Sequence, residues 1–390
     1  MVETLGTISN STTGAERDAR RTIARSDRPA DPLLARFVDG LERALVHAGY
    51  ASLPEPGADV NVVLHPVDVA KPRPYRRKAA PTFVIAIGAL PRPTDDPLRT
   101  GYPILVRALA NLCVLVSSTS DGLAVQFVTL EQGRYTVGPG LSDDELFAQV
   151  AQRVEPLASS RLVIANRFVT DLPESLWDGD EQTRGMLQAG RNLDALALLP
   201  SPFPLEEILS SRDLRHVKLL YGIGGLSYGN LSTRYRGPLR GVPDPDGPVY
   251  WMSASGGDKA ELRAVGEDIL LVRGYDRAGD TMVLSVPPAV TPRRVSVDAI
   301  EHFMIYGEHP NVGAIVHVHG WIDGTTSTEV NYPCGTVQLA SSVAELVRRQ
   351  PDPSRAVVGL RNHGLTITGH SLDEIFDRVG EQIVPRVPMV

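Results

Sequence analysis

The sequence predicts an α/β protein in two parts: an N-terminal α/β domain, then a C-terminal domain with a central antiparallel sheet flanked by helices. Three observations lead there. The chain has 390 residues, more than one ordinary core of about 100–200 residues holds. Its first half alternates apolar runs of strand length with helical stretches, and its second half opens on successive short strands joined by tight turns. Hydrophobic residues make up 42% of the chain and charged residues 22%, enough apolar material for a core in each part.

Residues 1–30 are rich in Ser, Thr, Arg and Asp without periodicity, and are expected to form a disordered tail with structure starting at Pro32. Within 31–200, strands are expected at 60–64, 82–90, 111–117 and 124–130, and a helix at 143–155. Pro202 and Pro204 interrupt a helical pattern and place the domain junction near Ser201. The second domain, 201–390, opens with a helix near 205–221. Strands follow in LSTRYR, PVYWMSAS, DILLVRG and TMVLSVP, and the turns DPDG and DRAGD between them favour antiparallel pairing. A helix then starts at Ser296, with Val297, Ile300 and Met304 in helical spacing. Strand AIVHVH, a helix from a capping box at Ser342/Glu345, strand AVVGL and a last helix from a box at Ser371/Glu374 complete the pattern.

Composition narrows the function. A net charge of -7 and an acidic isoelectric point argue against nucleic acid, which requires a clustered basic face. The basic run from Arg73 to Lys78 reads as a solvated loop. No stretch approaches 18 consecutive apolar residues and the N-terminus lacks the apolar core of a signal peptide, so a cytoplasmic location without a membrane partner is expected. Cys113 and Cys334 lie far apart and are read as reduced thiols.

In GAIVHVHG the side chains alternate faces, so Ile315, His317 and His319 point to one side and Ala314, Val316 and Val318 to the other. Two imidazoles about 6–7 Å apart along a strand can converge on one ion with bonds of about 2.0–2.1 Å. Asn362-His363-Gly364, at a strand end, offers the third ligand, because a glycine there permits tight backbone geometry.

The ordered elements GNLSTR (229–234), SASG (253–256), SVDAIEHFMIYGEHP (296–310), AIVHVH (314–319) and RNHG (361–364) resemble the class II aldolase/adducin family over about residues 200–384. The resemblance implies a divalent metal, usually Zn2+ with Fe2+, Mn2+ or Co2+ as alternatives, on His317, His319 and His363. It puts the family's acidic residue on Asp298, to move a proton while the ion stabilises an enediolate as a Lewis acid. Tyr332 is the candidate acid. Phosphate-side positions fall on Ser227, Asn230, Ser255, Gly256 and Ser296, where glycine turns and a helix N-terminus present anion donors. A homo-oligomer, commonly a tetramer, is also implied.

Two departures are legible. Val297 replaces the second serine of the usual pair, which favours a carboxylate as an alternative to a simple phosphomonoester. The segment WIDGTTSTEVNY (321–332) is short, so either a wider site or one completed by the N-terminal block or a neighbouring subunit is expected. The leading expectation is an aldolase-type lyase acting on a small hydroxy-carbonyl substrate such as a phosphorylated sugar. Its alternatives are an epimerase or dehydratase on the same scaffold, a non-haem iron oxygenase, and an adducin-like binding module without chemistry.

Overall fold

The computed structural model describes residues 21–79, 81–129, 134–198, 205–215, 229–239, 242 and 247–388. Two mixed sheets, each covered by helices on both faces, account for its architecture. The first sheet has the order β2-β1-β3-β4-β5-β6-β7. Its strands are β1 Thr22–Arg25, β2 Ala51–Leu53, β3 Val62–Pro66, β4 Phe83–Leu90, β5 Leu112–Thr119, β6 Gly122–Thr129 and β7 Arg134–Val137. The first five run parallel, and β6 and β7 add as antiparallel hairpins. Apolar side chains on both faces of β4 and β5 are buried, as the near-continuous apolar runs require of a doubly covered parallel sheet.

Helix α1 (Pro32–His47) starts where Asp31 accepts the Leu34 N–H at 2.9 Å and Pro32 supplies a preset first turn. It shares one face of the sheet with α3 (Asp143–Ala158), which the Ser142/Glu145 capping box opens. Helix α2 (Pro97–Ala108) covers the other face. The expected disordered tail through residue 30 is corrected by β1, which pairs with both β2 and β3. A four-residue strand among arginines has no local signature, and the two flanking strands are what stabilise it.

The second sheet has the order β14-β15-β13-β9-β10-β11-β12-β8. Its strands are β8 Ala165–Val169, β9 Gly229–Arg234, β10 Tyr250–Ser253, β11 Ile269–Asp276, β12 Thr281–Ser285, β13 Ala314–Val318, β14 Val357–Leu360 and β15 Gly364–Gly369. Seven of these strands pair antiparallel, as their short connections dictate. The purely antiparallel expectation is corrected at one edge, where β8 joins β12 in parallel. That strand precedes the expected junction at Ser201, which itself lies outside the described residues, so the second sheet already draws on the chain before it. Helices α5 (Ala299–Glu308) and α6 (Val337–Arg348) cover one face, and α4 (Glu181–Ala195) and α7 (Leu372–Val379) the other.

Two helix starts differ from expectation. Helix α5 begins at Ala299 rather than Ser296. Helix α6 begins at Val337, capped by Thr336 at 3.3 Å, ahead of the expected Ser342/Glu345 box, because Thr336 is positioned by its bridge to Leu162. Ser371 caps α7 as expected, through Glu374 N–H at 3.1 Å. Of the helix expected at 205–221, residues 211–215 are helical and the remainder beyond 215 is outside the described residues. Neither Cys113 nor Cys334 forms a disulfide among the described residues, and no helix there is long and apolar enough to cross a membrane.

Candidate metal centre

β13 lies between β9 and β15, so both its backbone edges are paired and its side chains alternate between two cores. Ala314, Val316 and Val318 enter the core under α4 and α7, and Ile315 enters the one under α5 and α6. His317 and His319 therefore project on the α5 side, as the alternation predicts. His363 reaches them from the three-residue turn between β14 and β15. The left-handed backbone of that turn belongs to Asn362, at φ 57°, rather than to the glycine. Gly364 serves another purpose: a Cβ there would lie 2.1 Å from the Val318 carbonyl oxygen, so only glycine lets β15 approach β13 this closely. Gly229 does the same on the β9 side, where a Cβ would lie 2.2 Å from the His317 carbonyl.

The three rings form a triangle with centroids 5.1, 4.8 and 4.9 Å apart. His363 Nε2 and His319 Nε2 are 3.2 Å apart, and one ligand nitrogen of each histidine falls within 4.8 Å of the others. Two nitrogens on one tetrahedral zinc stand about 3.3 Å apart when each bond is about 2.0–2.1 Å, so the spacing fits a shared ion. His317 Nε2 is fully buried and has no hydrogen-bond partner among the described residues, an orphan whose desolvation a ligated ion would compensate. Burial pushes all three imidazoles below the usual histidine range, most strongly His317 and His363, which keeps them in the neutral form that ligates.

Asp298 precedes α5, yet its carboxylate makes no capping bond to that helix. It turns toward the histidines instead. Oδ2 accepts from Asn230 Nδ2 at 2.7 Å and lies 4.0 Å from His317 Nε2, while Oδ1 accepts from Cys334 Sγ at 2.7 Å. Ser296 Oγ stands 3.4 Å from Oδ2. Register explains the convergence, because Asn230 on β9 is directly opposite His317 on β13. Ser255 and Gly256 form the turn after β10, held against the strand leading to Ser296 by Ser255 N–H to Arg294 C=O at 2.9 Å. Gly256 takes φ 66°. The structure thus brings Asn230, Ser255, Gly256 and Ser296 to the same end of the sheet as the histidines. Ser227 lies outside the described residues.

Tyr332 and Cys334 line a small cleft of about 80 Å³ beside Asn362 and His363. Its opposite wall comes from the first sheet, in Phe83, Asn111 and Thr129, and from Leu157 and Leu162. Docking is direct: Val163 N–H donates to Gly335 C=O at 2.8 Å and Val337 N–H to Arg161 C=O at 3.0 Å. The N-terminal part thus lines this cleft within one chain.

Several residues around the site had no assigned role in the sequence. Glu301 and His302 follow Asp298 by three and four positions, on the face of α5 turned toward the sheet. Glu301 Oε1 accepts from Thr366 Oγ1 at 2.5 Å, and Thr366 sits opposite His317 on β15. Ser232 links His302 Nδ1 at 2.7 Å to the Tyr306 hydroxyl at 2.9 Å. Helical spacing from Asp298 was the signal available for the first two. Lys259 is buried, donates to Ala254 and Gly257 carbonyls at 2.9 and 3.0 Å, and so braces the Ser255–Gly256 turn; burial pushes its pKa down to about 8.

Burial, reinforced by the Asp298 charge, pushes Glu301 up to about 8, so it is protonated in the folded protein at neutral pH. In the unfolded chain it ionises near 4.5, so unfolding releases a proton between those values. This contribution to stability is complete below the unfolded pKa and is lost as pH rises through the folded one, at up to about 1.4 kcal/mol per pH unit. Glu301→Gln removes the titration. In metal-free protein, the melting temperature of the variant relative to wild type is expected to climb from about pH 5 to about pH 8 and then level off. A constant difference across that range would show Glu301 ionised in the folded state.

Residues 215–328 match the family profile of the Class II Aldolase and Adducin N-terminal domain. His317, His319, Asp298 and Asn230 fall inside the match, and His363 beyond it. Among curated proteins none matches. Solved structures with similarity include YgbL of Klebsiella pneumoniae, a candidate aldolase/epimerase/decarboxylase, at 20% identity and TM-score 0.32, covering 52% of this chain and 84% of that one. An L-fuculose 1-phosphate aldolase aligns at 18% identity and TM-score 0.33, covering 53% and 82%. An aldolase II superfamily protein from Pseudomonas syringae aligns at 19% identity and TM-score 0.32, covering 51% and 72%.

Proposed function

We infer that this chain, which carries a class II aldolase and adducin domain, is a metal-dependent lyase that makes or breaks a carbon–carbon bond in a small hydroxy-carbonyl compound. The observation that carries the reading is the convergence of three neutral imidazoles, two with Nε2 atoms 3.2 Å apart, beside a buried carboxylate 4.0 Å from the third. His317, His319 and His363 would hold a divalent ion, most fittingly Zn2+, which would supply Lewis-acid polarisation of a substrate oxygen. Asp298 then takes a proton from the substrate at Oδ2. Asn230 and Cys334 hold the carboxylate in that orientation, so no reorganisation is needed when the proton moves. Tyr332, which lines the cleft beside His363, is assigned the return of a proton to the departing fragment.

Asn230, Ser255, Gly256 and Ser296, with Ser227, are assigned to the substrate's anionic end, a phosphate or a carboxylate. Val297 in place of a second serine leaves one hydroxyl fewer there and suits the smaller group. Family resemblance further supports a homo-oligomer, and light scattering that returns a fully active monomer would overturn that part of the reading. The reaction itself is tested with short-chain hydroxy-ketones, with and without a terminal phosphate, by following exchange of the carbon-bound proton next to the carbonyl into D2O. Exchange that requires metal supports the lyase and equally an epimerase. Metal-dependent oxygen consumption without exchange would replace both with an oxygenase.

The wall opposite His363 makes its own prediction. Leu162→Trp adds bulk to a cleft of about 80 Å³ and is expected to lower kcat/KM roughly tenfold, about 1.4 kcal/mol, with metal content unchanged. Unaltered kinetics would place the substrate elsewhere.

A further inference from the structure

The opposite end of the first sheet carries a cluster that the metal centre does not use. Strand order reverses at β1, which has β2 on one side and β3 on the other, and ligands in open parallel sheets bind beyond the C-terminal strand ends at such a reversal. Ser26 follows β1 and His65 lies in β3. Ser26 N–H extends the pairing by donating to Leu64 C=O at 3.0 Å, and its hydroxyl lies 2.6 Å from His65 Nδ1. His65 Nε2 lies 2.8 Å from the Arg73 carbonyl oxygen. A carbonyl only accepts, so Nε2 bears the proton, Nδ1 presents its lone pair, and the Ser26 hydroxyl donates to it. The Tyr75 ring, 5.6 Å from the imidazole, packs beside it. Burial lowers the pKa of His65, leaving a neutral base at pH 7.

Ser26 is half-buried and lines a cleft of about 1080 Å³ with Arg25, Asp27, Arg28, Asp39, Glu42 and Glu55 among its walls. These components match those of an activated nucleophile: a hydroxyl on a base, the base oriented by a third group, and open space in front. The lining also selects the electrophile. Four carboxylates face two guanidiniums, and Arg25 is already committed to Asp39 at 2.5 Å and to Glu42. An anionic phosphoryl donor would meet a surplus of like charge.

We propose that Ser26 and His65 are a nucleophile and general-base pair that takes an acyl group from an uncharged or cationic ester bound in this cleft. Ser26 Oγ forms a bond to the ester carbonyl carbon as its proton passes to His65 Nδ1. The bond from that carbon to the alcohol oxygen breaks, and Nδ1 returns the proton to the departing alcohol. Water entering by the same route releases the carboxylic acid and restores Ser26. This activity is independent of the metal reading.

The test uses the full chain and phenylmethanesulfonyl fluoride, which forms an Oγ–S bond with loss of fluoride. Intact mass and peptide mapping are expected to show one adduct, on Ser26, formed equally well in the presence of a chelator. Ser26→Ala should abolish it. His65→Asn keeps a side-chain polar group but cannot serve as the base, and should slow labelling by about 10²-fold or more while the far-UV spectrum stays that of wild type. Phenyl acetate should be hydrolysed and phenyl phosphate should not. Absence of an adduct at Ser26 in the wild-type protein, or an unchanged rate in His65→Asn, would overturn the proposal. Ser26-dependent hydrolysis of phenyl phosphate would overturn the choice of electrophile.

Discussion

His317→Ala and His363→Ala are each expected to purify without metal, against about one divalent ion per chain in the wild type, as read by elemental mass spectrometry after dialysis. Two remaining imidazoles hold an ion far more weakly than three, and water completes the shell at the expense of affinity. The two variants probe different parts of the fold, since His317 sits in a strand paired on both edges and His363 in a hairpin turn. Gly364→Ala provides a third arm without touching a ligand: its Cβ would fall 2.1 Å from Val318 C=O, and β15 must shift and carry His363 with it. Reduced occupancy is expected there too. His370→Ala, at an exposed position after β15, should retain the metal. Full occupancy in both histidine variants would remove this cluster from consideration.

Asp298→Asn is expected to keep the metal and to slow proton exchange by about 10²–10⁴-fold, the usual contribution of a positioned acid or base. The substitution is nearly isosteric. Its carbonyl oxygen can still accept from Asn230 Nδ2, and its amide can face Cys334 Sγ, so the local packing survives. What disappears is the basic oxygen 4.0 Å from His317 Nε2. A residue serving only the α5 dipole would behave differently, costing roughly 0.3–1 kcal/mol of stability and no activity. The missing side-chain capping bond already weighs against that role. A variant with metal bound and normal exchange would nonetheless restore it, and would favour the oxygenase reading, which needs no such base.

Much of the site was legible because its signals are local. The alternation around His317 and His319 follows from strand geometry, and the structure puts Ile315 and Val316 in opposite cores as that geometry demands. Strands at 83–90, 112–119 and 269–276 were legible for the same reason, as apolar runs bounded by turns. Glu301 escaped notice because a glutamate in a helical first turn ordinarily faces water; only its placement over β15 buries it. Cys334 was read as a plain thiol, since nothing adjacent in sequence reveals that Asp298 lies across from it. Ser26 and His65 are separated by 39 positions and meet only through the β1–β3 pairing.

By itself the sequence determined the α/β character and the face on which two imidazoles stand, whereas Asp298 was singled out through the family resemblance. Side-chain direction along a strand is set by residues within a few positions of one another, so pattern suffices. Tertiary structure decided what remained. It bent the Asn362 backbone so that His363 meets the pair, and it brought β15 close through Gly364. It also added β8 to an otherwise antiparallel sheet and set Phe83, Asn111 and Leu162 against the metal centre's cleft. Those outcomes depend on strand register and docking between segments far apart in the chain, from 44 positions for His319 and His363 to 116 for β8 and β12, where the free energy comes from burying surfaces together and no short stretch of sequence carries the pattern.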